Sequence, residues 1–258
     1  MEQGHGKGGA IAMNLIISPA KKMNMDTDTF PAKGVPCFLE EARSLCAAVR
    51  QLSLGEAKAL WGCNDKLAEL NFRRFAEMDL EKNLTPAILS YEGLQYRHMA
   101  PSVFTEGALT YIQEHLKILS GFYGVLSPFD GVTPYRLEMQ AKLSVEGKKD
   151  LYDFWGDRLC RRVSEDTDVI LNLASKEYSA AVEKYLPEKV RYITCTFGEL
   201  QDGKVRQKGT FAKMARGEMV RFLAENRIMQ PEQAKEFCSL GYRYAEEYSS
   251  EREYVFLK

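Results

Sequence analysis

The sequence predicts a mixed α/β fold, an α+β arrangement in which helices surround a mixed β-sheet within a single compact domain. Two short apolar runs, residues 14–18 (NLIIS) and 168–173 (DVILNL), have the length and composition of buried strands. The second run is followed closely by Ser175, which can cap a helix, and a strand leading into a helix is the unit of α/β folds. No internal repeat or linker divides residues 13–258 into two domains.

The composition is that of an ordinary globular protein. The 35 basic and 36 acidic residues nearly cancel, so a nucleic-acid surface would have to be a local patch. The six cysteines are scattered without a C-x-x-C pair, which predicts reduced thiols and a cytoplasmic location. The three histidines have no partners at ligand spacing, and no apolar run approaches the roughly 18 residues needed to span a bilayer. We therefore predict no metal site, no cofactor, no membrane association and no obligate protein partner.

The remaining elements follow from apolar spacing, caps and turn residues. Residues 1–12 (MEQGHGKGGAIA) are glycine-rich and predict a flexible extension. Helices are predicted over 38–52, 53–62, 65–75, 106–119, 148–164, from Ser175 to before Pro187, over 212–229 and from Pro231 onward. A strand over 191–197 is predicted to turn at Asp202-Gly203 into a partner at 204–208, and the tail predicts a closing pair of strands.

Two of these helices form a pair that admits two interpretations. Ser53 can cap the first and Asp65 the second, and residues 61–64 (WGCN) join them. The pair fits a helix-hairpin-helix, whose turn amides grip a DNA phosphate, or an ordinary corner between helices. Because Asn64 stands where such hairpins usually carry a second glycine, both interpretations stay open at this point.

Polar residues follow both predicted buried strands. Ser18 and Lys21 follow the first strand, whereas Asn172, Ser175 and Tyr178 lie at the end of the second or just after it. If the two strands are parallel neighbours, these residues converge at one sheet edge, where ligands of α/β folds collect. The helix that begins at Ser175 would favour an anion such as phosphate. The alternative is that Ser175 is only a helix cap and Lys21 only a solvated loop residue.

The segment Tyr135-Arg136-Leu137-Glu138 combines an arginine, a carboxylate and an aromatic ring behind a proline. Such a rigid fork suits the recognition of a phosphate or a base edge, but it is equally consistent with a structural ion pair. Glu138 and Glu177 together could supply an acid/base pair.

A basic segment spans residues 203–222, where six Lys or Arg accompany one Glu. On a helix, Lys213, Arg216 and Arg221 fall on one side, and a set of apolar residues falls opposite: Phe211, Ala215, Met219 and Phe222. The cationic side favours a surface that faces a polyanion, and a solvated surface helix is the alternative.

Six segments together resemble one known family. They are LIISPAKKM, KILSGFYGVLSPFDGVTPYRLEM, DLYDFWG, NLASKEY, ARGEMVRF and GYRY, and they resemble the bacterial YaaA peroxide-stress family from about residue 13 to residue 256. The resemblance implies a cytoplasmic protein that limits oxidative damage under hydrogen peroxide by holding down free iron. It also implies DNA binding, a single mixed α/β fold of its own kind, a helix-hairpin-helix and a positively charged cleft.

Carried over by motif, the resemblance implies a hairpin near residues 60–67, with Lys66 and Arg74 as candidate phosphate contacts. The implied cleft draws on Lys21, Arg136, Lys213, Arg216 and Arg221. The chain departs from the family at AILSYEGLQYRHMAP, where members more often carry G-D-V-Y. Leu94 replaces the aspartate, which weakens any role for a carboxylate there.

These observations give one leading hypothesis and one rival. The leading hypothesis is a DNA-binding protein of the peroxide response that holds double-stranded DNA, including distorted or damaged duplex, in a basic cleft. The rival is an enzyme that acts on a nucleobase or nucleotide in a pocket formed by Lys21, Tyr135, Arg136, Glu138, Asn172 and Ser175. Direct iron sequestration finds no support, since ligand-type residues are not clustered.

Overall fold

The strands confirm the predicted mixed α/β class. A computed structural model describes residues 13–26 and 28–258, so the extension predicted over residues 1–12 lies outside the described residues. The strands are β1 (Met13–Ile17), β2 (Lys22–Met23), β3 (Thr85–Pro86), β4 (Tyr91–Glu92), β5 (Leu116–Ser120), β6 (Gly124–Leu126), β7 (Gly131–Val132), β8 (Val169–Leu173), β9 (Arg191–Gln201), β10 (Lys204–Arg206), β11 (Arg243–Tyr244) and β12 (Glu253–Leu257).

Helices surround these strands. They are α1 (Leu39–Arg50), α2 (Leu54–Trp61), α3 (Asp65–Glu77), α4 (Ala87–Ser90), α5 (Leu94–Met99), α6 (Glu106–His115), α7 (Leu151–Trp155), α8 (Arg158–Val163), α9 (Lys176–Glu183) and α10 (Gly209–Glu225). Short 3₁₀ segments span Pro101–Val103, Pro231–Glu236 and Glu246–Tyr248. Among the helices of the described residues, none is both long and apolar enough to cross a bilayer.

The main sheet has the strand order β11-β12-β9-β8-β1-β5-β6, with β10 paired to β9 at the side. Its centre is parallel: β1 lies between β5 and β8, and β9 lies parallel to both β8 and β12. The outer pairings β5–β6, β11–β12 and β9–β10 are antiparallel. The predicted hairpin at Asp202-Gly203 and the predicted closing pair of tail strands are therefore confirmed.

The two apolar strands are parallel neighbours, which is the arrangement on which the convergence of their polar ends depends. β1 and β8 are parallel and in register, with Ile17 opposite Leu173. Every residue of both strands is buried, as expected for central strands covered on both faces. Since the strands are parallel, the segments that leave them, starting at Ser18 and at Ala174, emerge at the same sheet edge.

Several predicted helices have different bounds in the structure. The helix predicted over 106–119 ends at His115, because Leu116–Ser120 pairs with β1 as a buried strand. The helix predicted over 148–164 is two helices, α7 and α8, separated at Gly156, whose φ of 53° does not continue a right-handed helix. The basic helix predicted over 212–229 spans Gly209–Glu225, and Pro231 begins a 3₁₀ segment.

α2 and α3 form a helix pair joined by residues 62–64. Ser53 caps α2 as predicted, with a reciprocal capping box to Glu56. The cap of α3 is Asn64 rather than the predicted Asp65, because the Asn64 side chain accepts from the amide of Leu67 at 3.0 Å. Gly62 ends α2 with a φ of 51°. This geometry is common to ordinary helix corners, so the helix-hairpin-helix stays a prediction.

Candidate functional site

A cleft of about 340 Å³ lies where β1 and β8 end. Its walls come from five separate segments: the loop after β1, the start of α5, residues 135–138, the start of α9 and the first half of α10. Its charged lining residues are Lys21, Lys22, Glu92, Arg136, Glu138, Glu177, Lys213 and Arg216. Five positive and three negative side chains give this lining a formal charge of +2 with every group ionised.

Ser18 and Ser175 join the two strand ends. The amide of Ser175 donates to Ser18 Oγ at 2.8 Å, and Ser18 Oγ lies 3.1 Å from Ser175 Oγ. Tyr96 OH donates to the backbone oxygen of Ser18 at 3.0 Å, which ties α5 to the same point. The Ser175 side chain accepts no amide of α9, so the first turn of that helix presents uncapped amides and the positive end of its dipole.

Lys21, Arg136 and Glu138 form an ion-pair cluster in the wall of the cleft. Glu138 accepts from Lys21 Nζ at 2.6 Å and from Arg136 Nη2 at 3.1 Å. The Lys21 side chain is exposed, whereas those of Arg136 and Glu138 are 11% and 14% exposed. Arg136 Nη2 also lies 3.5 Å from the backbone oxygen of Trp61 at the end of α2. The structure therefore shows the ion pair, whereas recognition of a phosphate or base edge by this segment stays a prediction.

Glu177, in the first turn of α9, is half-buried in the same wall. One of its carboxylate oxygens accepts from the amide of Gln140 at 3.3 Å. Burial raises the pKa of Glu177 above its ordinary value, and the charge of Glu138 acts in the same direction, whereas Lys21 opposes it. A carboxyl group of this kind can exchange a proton with a ligand closer to neutral pH than an exposed glutamate can.

Arg216 projects from α10 into the cleft without a counter-ion. It makes no hydrogen bond or ion pair with any residue that the structure describes, and its Nε is both shielded from solvent and unpaired. Burial lowers the pKa of its guanidinium. Gln95 on α5 also lines the cleft, is 6% exposed, and has an unpaired Nε2.

Comparison with known proteins places the chain in a family. A model for the peroxide stress protein YaaA matches residues 13–248. The chain belongs to the YaaA family. It is 55% identical over 246 residues to a UPF0246 protein of Lachnoclostridium phytofermentans, an alignment that covers 95% of this chain and 96% of that protein. UPF0246 proteins of Desulfitobacterium hafniense and Agathobacter rectalis are each 52% identical, with 95% of this chain and 98% of each relative covered.

The structure brings together four of the five cations that the YaaA resemblance assigned to a cleft. Lys21, Arg136, Lys213 and Arg216 line it, whereas Arg221 lies outside the lining and pairs with Glu225 at 2.9 Å. The cationic side of α10 therefore faces the cleft only along the first part of the helix. On its apolar side Ala215 and Met219 are buried as predicted, Phe222 is partly buried, and Phe211 is exposed beneath Lys258.

Two predicted pocket residues of this YaaA-family chain have structural partners. Tyr135 lines the cleft, but its hydroxyl is buried and lies 2.7 Å from Tyr91 OH and 2.6 Å from Ser120 Oγ. Asn172 does not line the cleft. Its Nδ2 donates to Thr194 Oγ1, and its Oδ1 accepts from the amide of Ala174. Tyr178 lines the cleft as predicted.

The two candidate phosphate contacts on α3 do not line the cleft. Lys66 is exposed on the first turn of α3, and Arg74 donates to the backbone oxygen of Met23 at 3.2 Å. A second cavity of about 740 Å³ shares Lys21 and Glu138 with the cleft and reaches Gly62 in the α2–α3 turn. Within the described residues, no three His, Cys, Asp or Glu side chains are grouped to hold a metal ion.

Gln95 is one of several cleft residues that the sequence did not reveal, and Lys22, Glu92 and Tyr96 are others. Gln95 belongs to a helix of only six residues, too short for apolar periodicity to show which side chains face inward. No sequence signal marked it, since its position depends on the packing of α5 against α10.

Proposed function

We propose that this YaaA-family protein binds double-stranded DNA in the cytoplasm during peroxide stress, through the cleft and the neighbouring α2–α3 pair. The observation that carries the proposal is the charge of the cleft. Lys213 and Arg216 line it without a carboxylate partner among the described residues, whereas the other three cations of the lining are ion-paired. Arg216 is desolvated, which is costly for a cation without an anion, and DNA phosphates are anions that arginine and lysine bind.

The α2–α3 pair extends this surface. The second cavity joins the cleft to the turn at Gly62, so a duplex lying across both would also reach the exposed Lys66 at the start of α3. The amides of a helix start and a lysine are suited to the DNA backbone rather than to base edges. Such contacts favour distorted or damaged duplex, whose flexible backbone can follow a concave surface.

DNA binding offers a physical route to protection from iron. Phosphates condense cations along the duplex, and a protein that neutralises phosphates releases those cations. Ferrous ions released from bound DNA no longer generate hydroxyl radicals beside it. The protein would in this way limit iron-dependent damage without a metal site of its own.

Binding of a fluorescent intact duplex, measured by anisotropy across a series of salt concentrations, tests the proposal. We expect affinity to fall steeply with salt. The double substitution Lys213→Gln, Arg216→Gln should reduce the log–log slope by about 0.9 for each phosphate that the variant no longer neutralises. Arg221→Gln is the matched control, because Arg221 is on the same helix but outside the cleft. Equal affinity and salt slope in the parent and the double variant would contradict the proposal.

The second candidate function is an enzyme that acts on a nucleobase or nucleotide, and Glu177 favours it. A half-buried carboxyl group with a raised pKa, beside Glu138 and Lys21, is a typical general acid or base. Cells that lack the endogenous protein and carry Glu177→Gln at native abundance should then lose peroxide resistance while purified Glu177→Gln still binds DNA. Retained resistance would exclude this role, and Glu92→Gln, in an exposed ion pair at the cleft rim, is the control.

A further inference from the structure

The unpaired polar atoms of the cleft are all of one kind. Among the described residues, the buried side-chain atoms without a partner are Trp61 Nε1, Gln95 Nε2, Gln113 Oε1, Arg136 Nε and Arg216 Nε. Three of the five residues, Gln95, Arg136 and Arg216, line the cleft, and each of their unpaired atoms is an N–H donor. Buried donors without acceptors are costly, so three residues with such donors in the wall of one cavity favour a ligand that supplies oxygen acceptors.

Gln95 and Arg216 belong to two helices that pack closely against each other. A Cβ atom on Gly217 would lie 2.1 Å from the backbone oxygen of Gln95, so α10 and α5 approach backbone to backbone there. Arg216 precedes that glycine, and Lys213 lies one helical turn earlier on α10. The amide of Gln95 and the guanidinium of Arg216 thus come from two elements that meet at one point, with a lysine beside them.

The charge and size of the cleft further restrict which ligands it can bind. The formal charge of +2 on the lining matches the charge of about −1.5 to −2 on a phosphate monoester at neutral pH, whereas an internal phosphodiester carries only one negative charge. A volume of about 340 Å³ can enclose one nucleotide, whereas a duplex would lie across the mouth of the cleft. An end of a strand can enter such a cavity without carrying chain on both sides of the phosphate.

We propose that the inner part of the cleft is a binding site for a terminal phosphate monoester carried by a nucleotide, with Gln95 and Arg216 as its donors. The phosphate belongs either to a DNA strand end or to a free nucleoside monophosphate. Hydroxyl radicals that attack deoxyribose break strands and leave phosphate ends, which connects the first source with peroxide stress. The assignment of the phosphate to a DNA strand end depends on the proposed DNA binding, whereas the phosphate site itself does not depend on it.

The test uses the full-length protein and duplexes of one sequence: intact, nicked with a 3′-phosphate and nicked with a 3′-hydroxyl. We expect the phosphate-terminated nick to bind at least about tenfold tighter than the hydroxyl-terminated nick. Gln95→Glu and Arg216→Gln should abolish this ratio, and Arg221→Gln should leave it unchanged. Lys213→Gln should reduce the ratio. Because Lys213 is exposed and its substitution does not disturb the core, a reduced ratio in this variant cannot come from a folding defect of the kind that the buried substitutions could cause.

A thermal-shift arm compares deoxynucleoside monophosphates with the corresponding nucleosides. Stabilisation by the monophosphate alone, lost in Arg216→Gln, together with no binding of any duplex, would assign the site to free nucleotides and overturn the DNA proposal. Binding of all three duplexes with equal affinity, and no response to the monophosphate, would overturn the phosphate site and leave the DNA proposal standing. No binding of any probe would overturn both.

Discussion

Gly217 on α10 lies directly against the backbone carbonyl of Gln95 on α5, with no space for a side chain between them. A Cβ atom there would lie 2.1 Å from the Gln95 oxygen and 3.0 Å from Cβ of His98. The contact sets the distance between the two helices that contribute Arg216 and Gln95 to the cleft. The geometry of the candidate site therefore depends on a residue that contributes no functional group.

Gly217→Ala should separate α5 from α10 and reduce both stability and ligand binding. Overpacking of a close contact costs about 1 to 3 kcal/mol, which exceeds the gain in helix propensity from alanine. Chemical denaturation measures the cost. Gly209→Ala, on the same helix with no atom within 4 Å of the added Cβ, is the control and should be neutral or stabilising. Equal stability of parent and Gly217→Ala would show that the helices can shift freely.

Glu138→Gln should be far more destabilising than Glu92→Gln. Glu138 neutralises Arg136, and both side chains are largely buried, so the substitution leaves a buried guanidinium without its counter-ion. The expected loss is about 3 kcal/mol, whereas the exposed Lys22–Glu92 pair should contribute less than about 1 kcal/mol. Urea unfolding of the two variants makes the comparison, and similar losses would mean that water reaches the Arg136 pair.

The fold is predictable from the sequence where runs of apolar residues mark buried strands, and the site is predictable only in part. Residues 14–18 and 168–173 are predictable as strands because each contains three consecutive apolar residues, and their parallel pairing brings Ser18 to Ser175. Residues 116–119 belong to the helix predicted over 106–119, and only the pairing of Leu116–Ser120 with β1 makes this segment a strand.

Long-range packing explains most of what the sequence missed in the site. Periodicity placed Arg221 with Arg216, but it cannot show where a helix leaves the cavity, and Arg221 instead pairs with Glu225. Asn172 lies within the correct strand, yet its side-chain amide donates to Thr194 Oγ1 on the neighbouring β9. Gln95 depends on the contact with Gly217, which no local pattern of residues records.

Asp130→Asn should flatten the pH dependence of stability. Burial raises the pKa of Asp130 to about 6, and the positive charges of Lys117 and Arg162 oppose this shift. The thiol of Cys37 interacts with the same set of charged side chains. Because the folded state binds this proton more tightly than the unfolded state, stability falls as the pH rises from about 4 to 6. The pKa shift corresponds to about 3 kcal/mol of unfolding free energy, and asparagine cannot ionise. The variant should therefore be more stable than the parent at pH 8, and the two should have similar stability at pH 4.

Asp26→Asn provides a comparison of opposite sign. Hydrogen bonds from Thr29 lower the pKa of Asp26, so its contribution to stability is present at neutral pH and is lost as the pH falls through the lowered pKa. Asp26→Asn should be less stable than the parent at pH 7, and the difference should shrink in acid. Denaturation profiles in which Asp130→Asn and Asp26→Asn change in the same direction would contradict the assignment of these two carboxyl groups.

Glu177→Gln should strengthen anion binding in the cleft, and more at pH 8 than at pH 5. Above the raised pKa of Glu177 its carboxylate places a negative charge beside the ligand, and the substitution removes that repulsion. As the pH falls toward the raised pKa, a growing fraction of the parent carboxyl groups is neutral, so the difference between parent and variant shrinks. Inorganic phosphate or a nucleoside monophosphate, titrated against parent and variant at both pH values, measures the effect. Glu199→Gln, outside the cleft in an ion pair with Lys208, should show no difference between the two pH values, and an identical response of both variants would place Glu177 away from the bound anion.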